Sequence, residues 1–462
     1  MRAIVISLAL AACSTSVSLA GAQAFGDVSA ANLLRTEAAP TGFGGGFVDL
    51  DRDGEREVLV VASSWSLQEV APEADDSLAP RLDAIAGSFD DDGDRDFILA
   101  HGEALAEFSM DAAALDIDND GDLDVLVAVE FSANRLFVND GTGVLKEESW
   151  RLPRAVHDSE DIAAADFDGD GDLDVVVVSE DDETNEHYIN QGTGVFLEAG
   201  HLLPVRGISN AVEALDVNLD GAPDLIIGNR GQNFVLVNDG AGRFRDETAT
   251  RLPVQGETTQ DIAVGDVDGD GDADLVFANE EGLDRLVLND GAGRFVPAPE
   301  GHLPSPPTAT DSRDVELADV DGDGDLDLFF GIVGWGKESR VARNRLLIND
   351  GTGVFTDETD SRLDGPDDDT LDGVFLDLDA DGDLDLVTSH TRGLEPAILA
   401  AWENDGAGRF APVSSEYFGD ERTGDILAIV SADFDGDGAT DLFIANRGAA
   451  DRLLLRRERT AP

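Results

Sequence analysis

The sequence predicts an all-β fold, a β-propeller of four-stranded antiparallel blades, from three observations. An acidic motif with Asp at positions 1, 3, 5 and 9 and Gly at 6, as in "DFDGDGDLD" from Asp166, recurs along the chain. Its copies begin at Asp49, Ser88, Asp116, Asp166, Asp216, Asp266, Asp319, Asp377 and Asp433, and from Asp116 onward the steps are 50, 50, 50, 53, 58 and 56 residues. Each copy sits between short apolar runs too brief for helices. A blade of four strands takes roughly 40–50 residues in repeat proteins, which matches that period.

The elements follow in order within each unit. Strand A is a short apolar run ending at the motif, such as "DIAAAD" (161–166) or "DIAVGD" (261–266). Strand B is the β-branched run after it, such as "LDVVVV" (173–178) or "PDLIIG" (223–228). Both are apolar on both faces, as a sheet sandwiched between neighbours must be. Strands C and D flank an Asn-Asp-Gly hairpin turn in "NRLFVNDGTGVL" (134–145) and "RLVLNDGAGRF" (285–295). The last unit stops after a C-like "DRLLLRR" (451–457), whereas "FGDVSAANLL" (25–34) is similar to the D strands "FRDETATRL" (244–252) and "FTDETDSRL" (355–363). The N-terminal strand is therefore expected to complete the last blade and close the ring, removing exposed sheet edges. Two motifs fall within 49–115; spacing makes that stretch one blade with an insertion near 65–80. The count is then eight blades, with nine short ones, or seven and an odd N-terminal segment, as the alternatives.

Composition narrows the setting. The net charge is −67, from 98 acidic and 31 basic residues, and Lys146 and Lys337 are the only lysines. Such a surface repels nucleic acid and anionic membranes. Residues 1–24 read as a secretory leader, with Arg2, an apolar stretch over 3–12 and a small-x-small site at Ala22-Gln23-Ala24. Leu10-Ala11-Ala12-Cys13 competes as a lipoprotein box that would leave Cys13 lipidated. Residues 25–462 are expected to form one propeller domain, outside the cytoplasm: secreted, periplasmic or on the cell surface. Cys13 is the only cysteine, so no disulfide is available to it. No later segment holds 18 uninterrupted apolar residues.

The motif itself has a chemistry. Three carboxylates on alternate residues surround a tight loop, Gly at position 6 permits the turn, position 7 offers a carbonyl, and position 9 returns a further acid. That set of hard oxygens suits calcium, which takes six to eight. An EF-hand would need Glu at 12 and flanking helices, whereas here the closing acid is at 9 and the flanks are strands.

"DFDGDGDLDVVVV" with "NDGTGVF" resembles the FG-GAP / VCBS repeat proteins, relatives of the integrin alpha-chain propeller. The resemblance implies several structural calcium ions in the A–B loops. By position, the implied ligands are Asp116, Asp118, Asp120 and Asp124; Asp166, Asp168, Asp170 and Asp174; and Asp266, Asp268, Asp270 and Asp274. Further sets are Asp319, Asp321, Asp323 and Asp327; Asp377, Asp379, Asp381 and Asp385; and Asp433, Asp435, Asp437 and Asp441. Asp216, Asn218, Asp220 and Asp224 carry a neutral oxygen at position 3, which implies a weaker site. Asp49, Asp51, Asp53 and Glu57 keep a full acid set, while Ser88 breaks the pattern beside Asp90, Asp92 and Asp96.

The face opposite the acidic turns varies more, which suits recognition. Two long B–C loops are expected there, 331–344 and 389–404. They carry Trp335, Lys337, Arg340, Arg343, His390, Arg392 and Trp402, and aromatic–arginine clusters are typical of binding surfaces. Arg151, Arg251 and Arg362 recur at equivalent positions, with His201 and His302 between them, as a structural ion pair would. The expected function is a calcium-binding module that binds an extracellular protein or glycan. A polysaccharide-lyase-like enzyme and a purely structural surface component are the alternatives. Against an enzyme, the six histidines (101, 157, 187, 201, 302 and 390) lack metal-ligand spacing, and no nucleophile elbow or phosphate loop appears.

Overall fold

The computed structural model describes residues 108–456, apart from 142–143, 181–182, 281, 307–309, 335–342, 366–368, 393–394, 414–417, 419–424, 437 and 448–450, together with strands at 4–7, 44–48 and 57–62. Side chains are described except in those three N-terminal strands and at 390–398, 425 and 447. The chain forms two units, 106–456 and the remainder. In the smaller unit, Gly44–Val48 pairs antiparallel with Glu57–Ala62 as an A–B hairpin, and Ile4–Ser7 pairs parallel with the latter.

In the larger unit the A-B-C-D grammar holds in six full blades. Blade 1 is Phe108–Leu115, Asp124–Ser132, Arg135–Asn139 and Leu145–Glu147; blade 2 is His157–Ala165, Asp174–Ser179, Glu186–Asn190 and Phe196–Glu198. Blade 3 is Ser209–Leu215, Asp224–Asn229, Phe234–Asn238 and Phe244–Asp246; blade 4 is Thr258–Gly265, Asp274–Glu280, Arg285–Asn289 and Phe295–Pro297. Blade 5 is Ser312–Ala318, Asp327–Ile332, Arg345–Asn349 and Phe355–Asp357; blade 6 is Asp369–Leu376, Asp385–Arg392, Glu395–Asn404 and Phe410–Pro412. Blade 7 shows Asp425–Ala432, Asp441–Arg447 and Arg452–Leu454. Every A–B, B–C and C–D pairing is antiparallel.

Each A strand packs against the A strand of the next blade, and that of blade 7 packs against that of blade 1. Blades 7, 1 and 2 are further joined edge to edge, Arg447 opposite Phe108 and Ser132 opposite His157. The ring of this unit therefore closes with seven blades, not the eight expected. Of the eighth blade expected over 49–115, the hairpin at 44–62 belongs to the other unit and residues 63–107 lie outside the described residues. The N-terminal strand expected at 25–34 lies outside the described residues.

The core lies between blades. Leu126 and Leu136 of blade 1 pack with Val175, Val177 and Tyr188 of blade 2, and Ile226 and Val235 of blade 3 with Leu275 and Phe277 of blade 4. Phe137 of blade 1 meets Phe443 of blade 7, ring centroids 6.2 Å apart. This explains why B strands such as Asp174–Ser179 are buried at every residue: both faces meet a neighbouring sheet.

Candidate metal centre

The A–B turn is built by its own aspartates. In blade 2, Oδ1 of Asp166 accepts the N–H groups of Gly169 and Asp170 at 2.8 and 3.1 Å, and Oδ2 accepts that of Gly171 at 3.0 Å. The last bond recurs from position 6 to position 1 in all seven blades at 2.8–3.1 Å. Position 6 has φ between 89° and 100° throughout, from Gly221 to Gly382, a left-handed backbone that a side chain rarely tolerates.

Position 9 is buried and does more than close the loop. Its Oδ2 accepts the N–H of position 2 at 2.7–3.2 Å in every blade. Its Oδ1 accepts the N–H of the Asn that ends strand C, at 2.7–2.8 Å in blades 1 to 6. Blade 7 has Arg456 in place of that Asn, with the same bond to Asp441 at 2.7 Å. Burial pushes these carboxyls up, Asp124 to about 6 and Asp174 to about 7, while the N–H bonds pull them down. At position 3 of blade 2, Asp168 is raised too, by burial first and then by Asp170.

That Asn is also an inter-blade clasp, a role the sequence concealed behind an ordinary hairpin signal. Nδ2 of Asn190 donates to the carbonyl of Leu173 in its own blade at 3.1 Å and to that of Ile117 in blade 1 at 2.8 Å. Asn238, Asn349 and Asn404 reach back to Phe167, Val267 and Val320 in the same way, each at 2.8 Å. Asn139 closes the ring on Phe434 at 2.8 Å, and the Arg456 guanidinium reaches Asp377 O at 2.7 Å. At the blade 3–4 junction the turn comes so close that a Cβ on Gly293 would fall 1.8 Å from Val217 O.

Carboxylate oxygens of positions 1, 3 and 9 converge within 4.8 Å in the loops of Asp116, Asp166, Asp266 and Asp319. Oδ1 of Asp118 and of Asp321 is buried with no hydrogen-bond partner. The other oxygen of each is held by an arginine, Arg151 at 3.0 Å and Arg362 at 3.2 Å. Orphaned carboxylate oxygens in a convergent, acceptor-only set fit a hard cation. The recurring arginines are thus structural: Arg151 also bonds Glu148 and Thr193 O, and Arg362 also bonds Glu358 and Ala407 O. Arg251, whose loop has Asn218 in place of an acid, bonds Glu247 and Gly293 O instead. The 49–57 loop, the Ser88 loop and Asp437 lie outside the described residues, and of Glu57 only its place in a strand is described.

The other face is reorganised relative to expectation. Residues 389–404 are not a long loop: strand B runs to Arg392 and strand C starts at Glu395, a continuous hairpin. Trp402 is 3% exposed, its Nε1 donating to Asp364 O at 2.7 Å, so it is core and not a surface ligand group. Its strand position turned it inward, which the loop reading could not see. Arg343 is half-exposed and lies 2.9 Å from the Asp360 carboxylate. It borders a cleft of about 600 Å³ between blades 5 and 6. His390 and Arg392 stand in strand B of blade 6 with side chains not described; Trp335, Lys337 and Arg340 lie outside the described residues.

A ring of blades whose A–B turns each carry an acidic, oxygen-rich loop defines a repeat propeller with acidic A–B turns. FG-GAP-like repeat models match residues 116–177, 166–227, 216–277, 266–330 and 394–444, more than half of the chain, and the chain belongs to that family. Human cartilage acidic protein 1 is 29% identical over 193 residues, 40% of this chain and 28% of its own length. The Xenopus tropicalis protein of the same name is 30% identical over 177 residues, 37% of this chain and 27% of its own. The matched region thus spans under a third of these relatives. Among solved structures, BBS1N in complex with ARL6DN superposes with a TM-score of 0.50 at 12% identity, covering 79% of this chain and 98% of that one, a likeness of fold alone. Among the described residues no helix is long and apolar enough to cross a membrane.

Proposed function

We propose that the chain is an extracytoplasmic binding module, a propeller whose A–B loops take calcium as structural ions and whose more variable surface holds a protein or glycan partner. The observation that carries the calcium reading is the pair of buried, unpartnered oxygens at position 3, Oδ1 of Asp118 and Asp321, beside the acids of positions 1 and 9. The ligand sets are those of the motif, positions 1, 3, 5 and 9, with Asn218 weakening the third. Residues 1–24 serve as a leader, or Cys13 as a lipid anchor, delivering residues 25–462 to a calcium-rich compartment.

Loops of this kind bind calcium with Kd of about 10⁻⁴–10⁻³ M outside cells. At ~1 mM calcium each adds roughly 0.4–1.4 kcal/mol by linkage. The partner reading rests on the family's propeller fold and the break in repetition at 331–344, with Arg343 as its described member. A glycan array and a pull-down with the secreted chain test it. Binding lost on Arg343→Ala but kept on Asp170→Ala supports the face; binding to neither glycan nor protein ends the module reading.

A further inference from the structure

Two of the A–B loops are twins. Residues 266–272 and 319–325 both read Asp-Val-Asp-Gly-Asp-Gly-Asp, and both close on an acid at position 9, Asp274 and Asp327. Their frames coincide. In each, position 1 accepts the N–H of position 4 at 2.8 Å and that of position 6 at 3.0 Å. Position 9 accepts the N–H of position 2 at 3.1 Å in one and 3.2 Å in the other. Carboxylate oxygens of positions 1, 3 and 9 converge in both. What differs lies outside the loop. Beside Asp319 the short helix Thr359–Arg362 after strand D ends in Arg362, whereas His302 holds the equivalent place beside Asp266, each followed by Leu.

Arg362 is locked in place. Its guanidinium lies 3.2 Å from Oδ2 of Asp321 at position 3 and 2.6 Å from Glu358, and it donates to Ala407 O of blade 6 at 2.5 Å. A Cβ on Gly408 would fall 2.4 Å from its Nη1, so the C–D turn of blade 6 closes over it. Arg151 repeats the arrangement in blade 1, 3.0 Å from Oδ2 of Asp118 and pressed against Gly194 of blade 2. Blade 2 has His201 at that place. Among the described residues no ion pair reaches Asp168 or Asp268. The side chain at position 3 follows suit. In blades 2, 3, 4 and 6 its Oδ1 accepts the N–H of position 5 at 2.9–3.3 Å. In blades 1 and 5 the arginine takes one oxygen of Asp118 and Asp321 and the other is left bare. The Arg362 side chain is only 17% exposed and that of Asp321 15%, so solvent screens this charge weakly.

We propose that Arg362 and Arg151 are resident counter-charges that weaken calcium binding in their own loops, so that the Asp319 loop takes calcium less tightly than its twin at Asp266. The proposal rests on the calcium reading of the A–B loops. The two ligand sets are alike, so the net charge of the site decides. Affinity for calcium follows the charge count of the ligands. A guanidinium sharing the position-3 carboxylate offsets one of the four negative charges, and it repels an incoming divalent ion. The same arginine relieves the repulsion among the carboxylates when the loop is empty. Blades 1 and 5 therefore keep their turns at low calcium, and blades 2 and 4 answer to its concentration.

Occupancy resolved by site tests this. Crystals of the full chain are equilibrated over a calcium series, and the anomalous signal of calcium is integrated at each loop. In the wild type the Asp266 loop is expected to reach half-occupancy at about fivefold lower calcium than the Asp319 loop, the low end for coupled sites. Arg362→Gln should close that gap, and His302→Arg should move the Asp266 loop to higher calcium. Equal filling of the two loops in the wild type, earlier filling of the Asp319 loop, or a gap that survives Arg362→Gln overturns the proposal. Should Arg362→Gln not fold, the wild-type order and His302→Arg decide, and an Asp266 loop unmoved by that substitution overturns it. No signal at any loop at saturating calcium defeats the calcium reading itself and this proposal with it, an outcome distinct from equal filling.

Discussion

The aspartate at position 9 shows how one residue type carries two duties. Its oxygens accept backbone N–H groups from the A–B turn and from the end of strand C, so it holds three strands even without metal. Asp174→Ala would strand at least two buried donors, and at about 1–3 kcal/mol for each unsatisfied group the loss is roughly 2–6 kcal/mol. Asp170→Ala, at an exposed position, is expected to cost no more than about 0.5 kcal/mol in EDTA and to show a deficit only with calcium present. Urea unfolding of both variants, with and without calcium, measures the difference. His187 makes a separate prediction. It is fully buried against Phe167 and Phe244, neither ring nitrogen has a partner, and burial, with a smaller push from His201, lowers it from 6.5 to about 4. The unfolded chain takes up a proton near pH 6.5 that the folded chain refuses until about pH 4. Stability from this group is thus complete above pH 6.5 and lost as the pH falls towards 4. His187→Phe should flatten that part of the acid limb of the stability curve, measured by thermal unfolding between pH 7 and 4.

At the scale of the element, the blade was largely legible and its joints were not. Period-2 and all-apolar runs, the turn glycines and the Asn-Asp-Gly signal place strands A to D because each is a local pattern of the chain. The clasp made by Asn349 spans 82 residues to Val267 O, and no local pattern reports a bond of that reach. Trp402 was misread for a related reason: the B–C connection of blade 6 is folded into a longer hairpin, so a residue assigned to a loop faces the core. The aspartates that open "DIAAAD" and "DIAVGD" accept N–H groups of the next blade, from Val212 and Val315, partners 51 and 54 residues away that only the ring supplies. The clasp can be tested by comparison. Asn349→Ala loses bonds to two carbonyls, Leu326 O and Val267 O, whereas Asn289 bonds only Ala273 O through its Nδ2. Asn349→Ala should therefore be the more destabilising by about 1 kcal/mol, one hydrogen bond, read from paired denaturation curves.

For the whole molecule, the governing fact is a net charge of −67 on a chain whose inner strands and turns concentrate aspartate. The fold answers part of this with backbone N–H groups and arginines, and leaves specific oxygens without partners. The blade count shows the limit of reading the whole from the sequence: the repeat sets what a blade is, whereas ring closure depends on how seven wedge-like sheets pack, which no repeat unit encodes alone. If cations complete these loops, stability is a property of the calcium concentration as much as of the chain. The most direct measurement is differential scanning calorimetry of the full chain across a calcium series from EDTA to 10 mM. The account predicts a Tm that climbs with the logarithm of calcium through the millimolar range, with roughly 0.4–1.4 kcal/mol gained per occupied loop at ~1 mM. A Tm unchanged from EDTA to 10 mM calcium would contradict it.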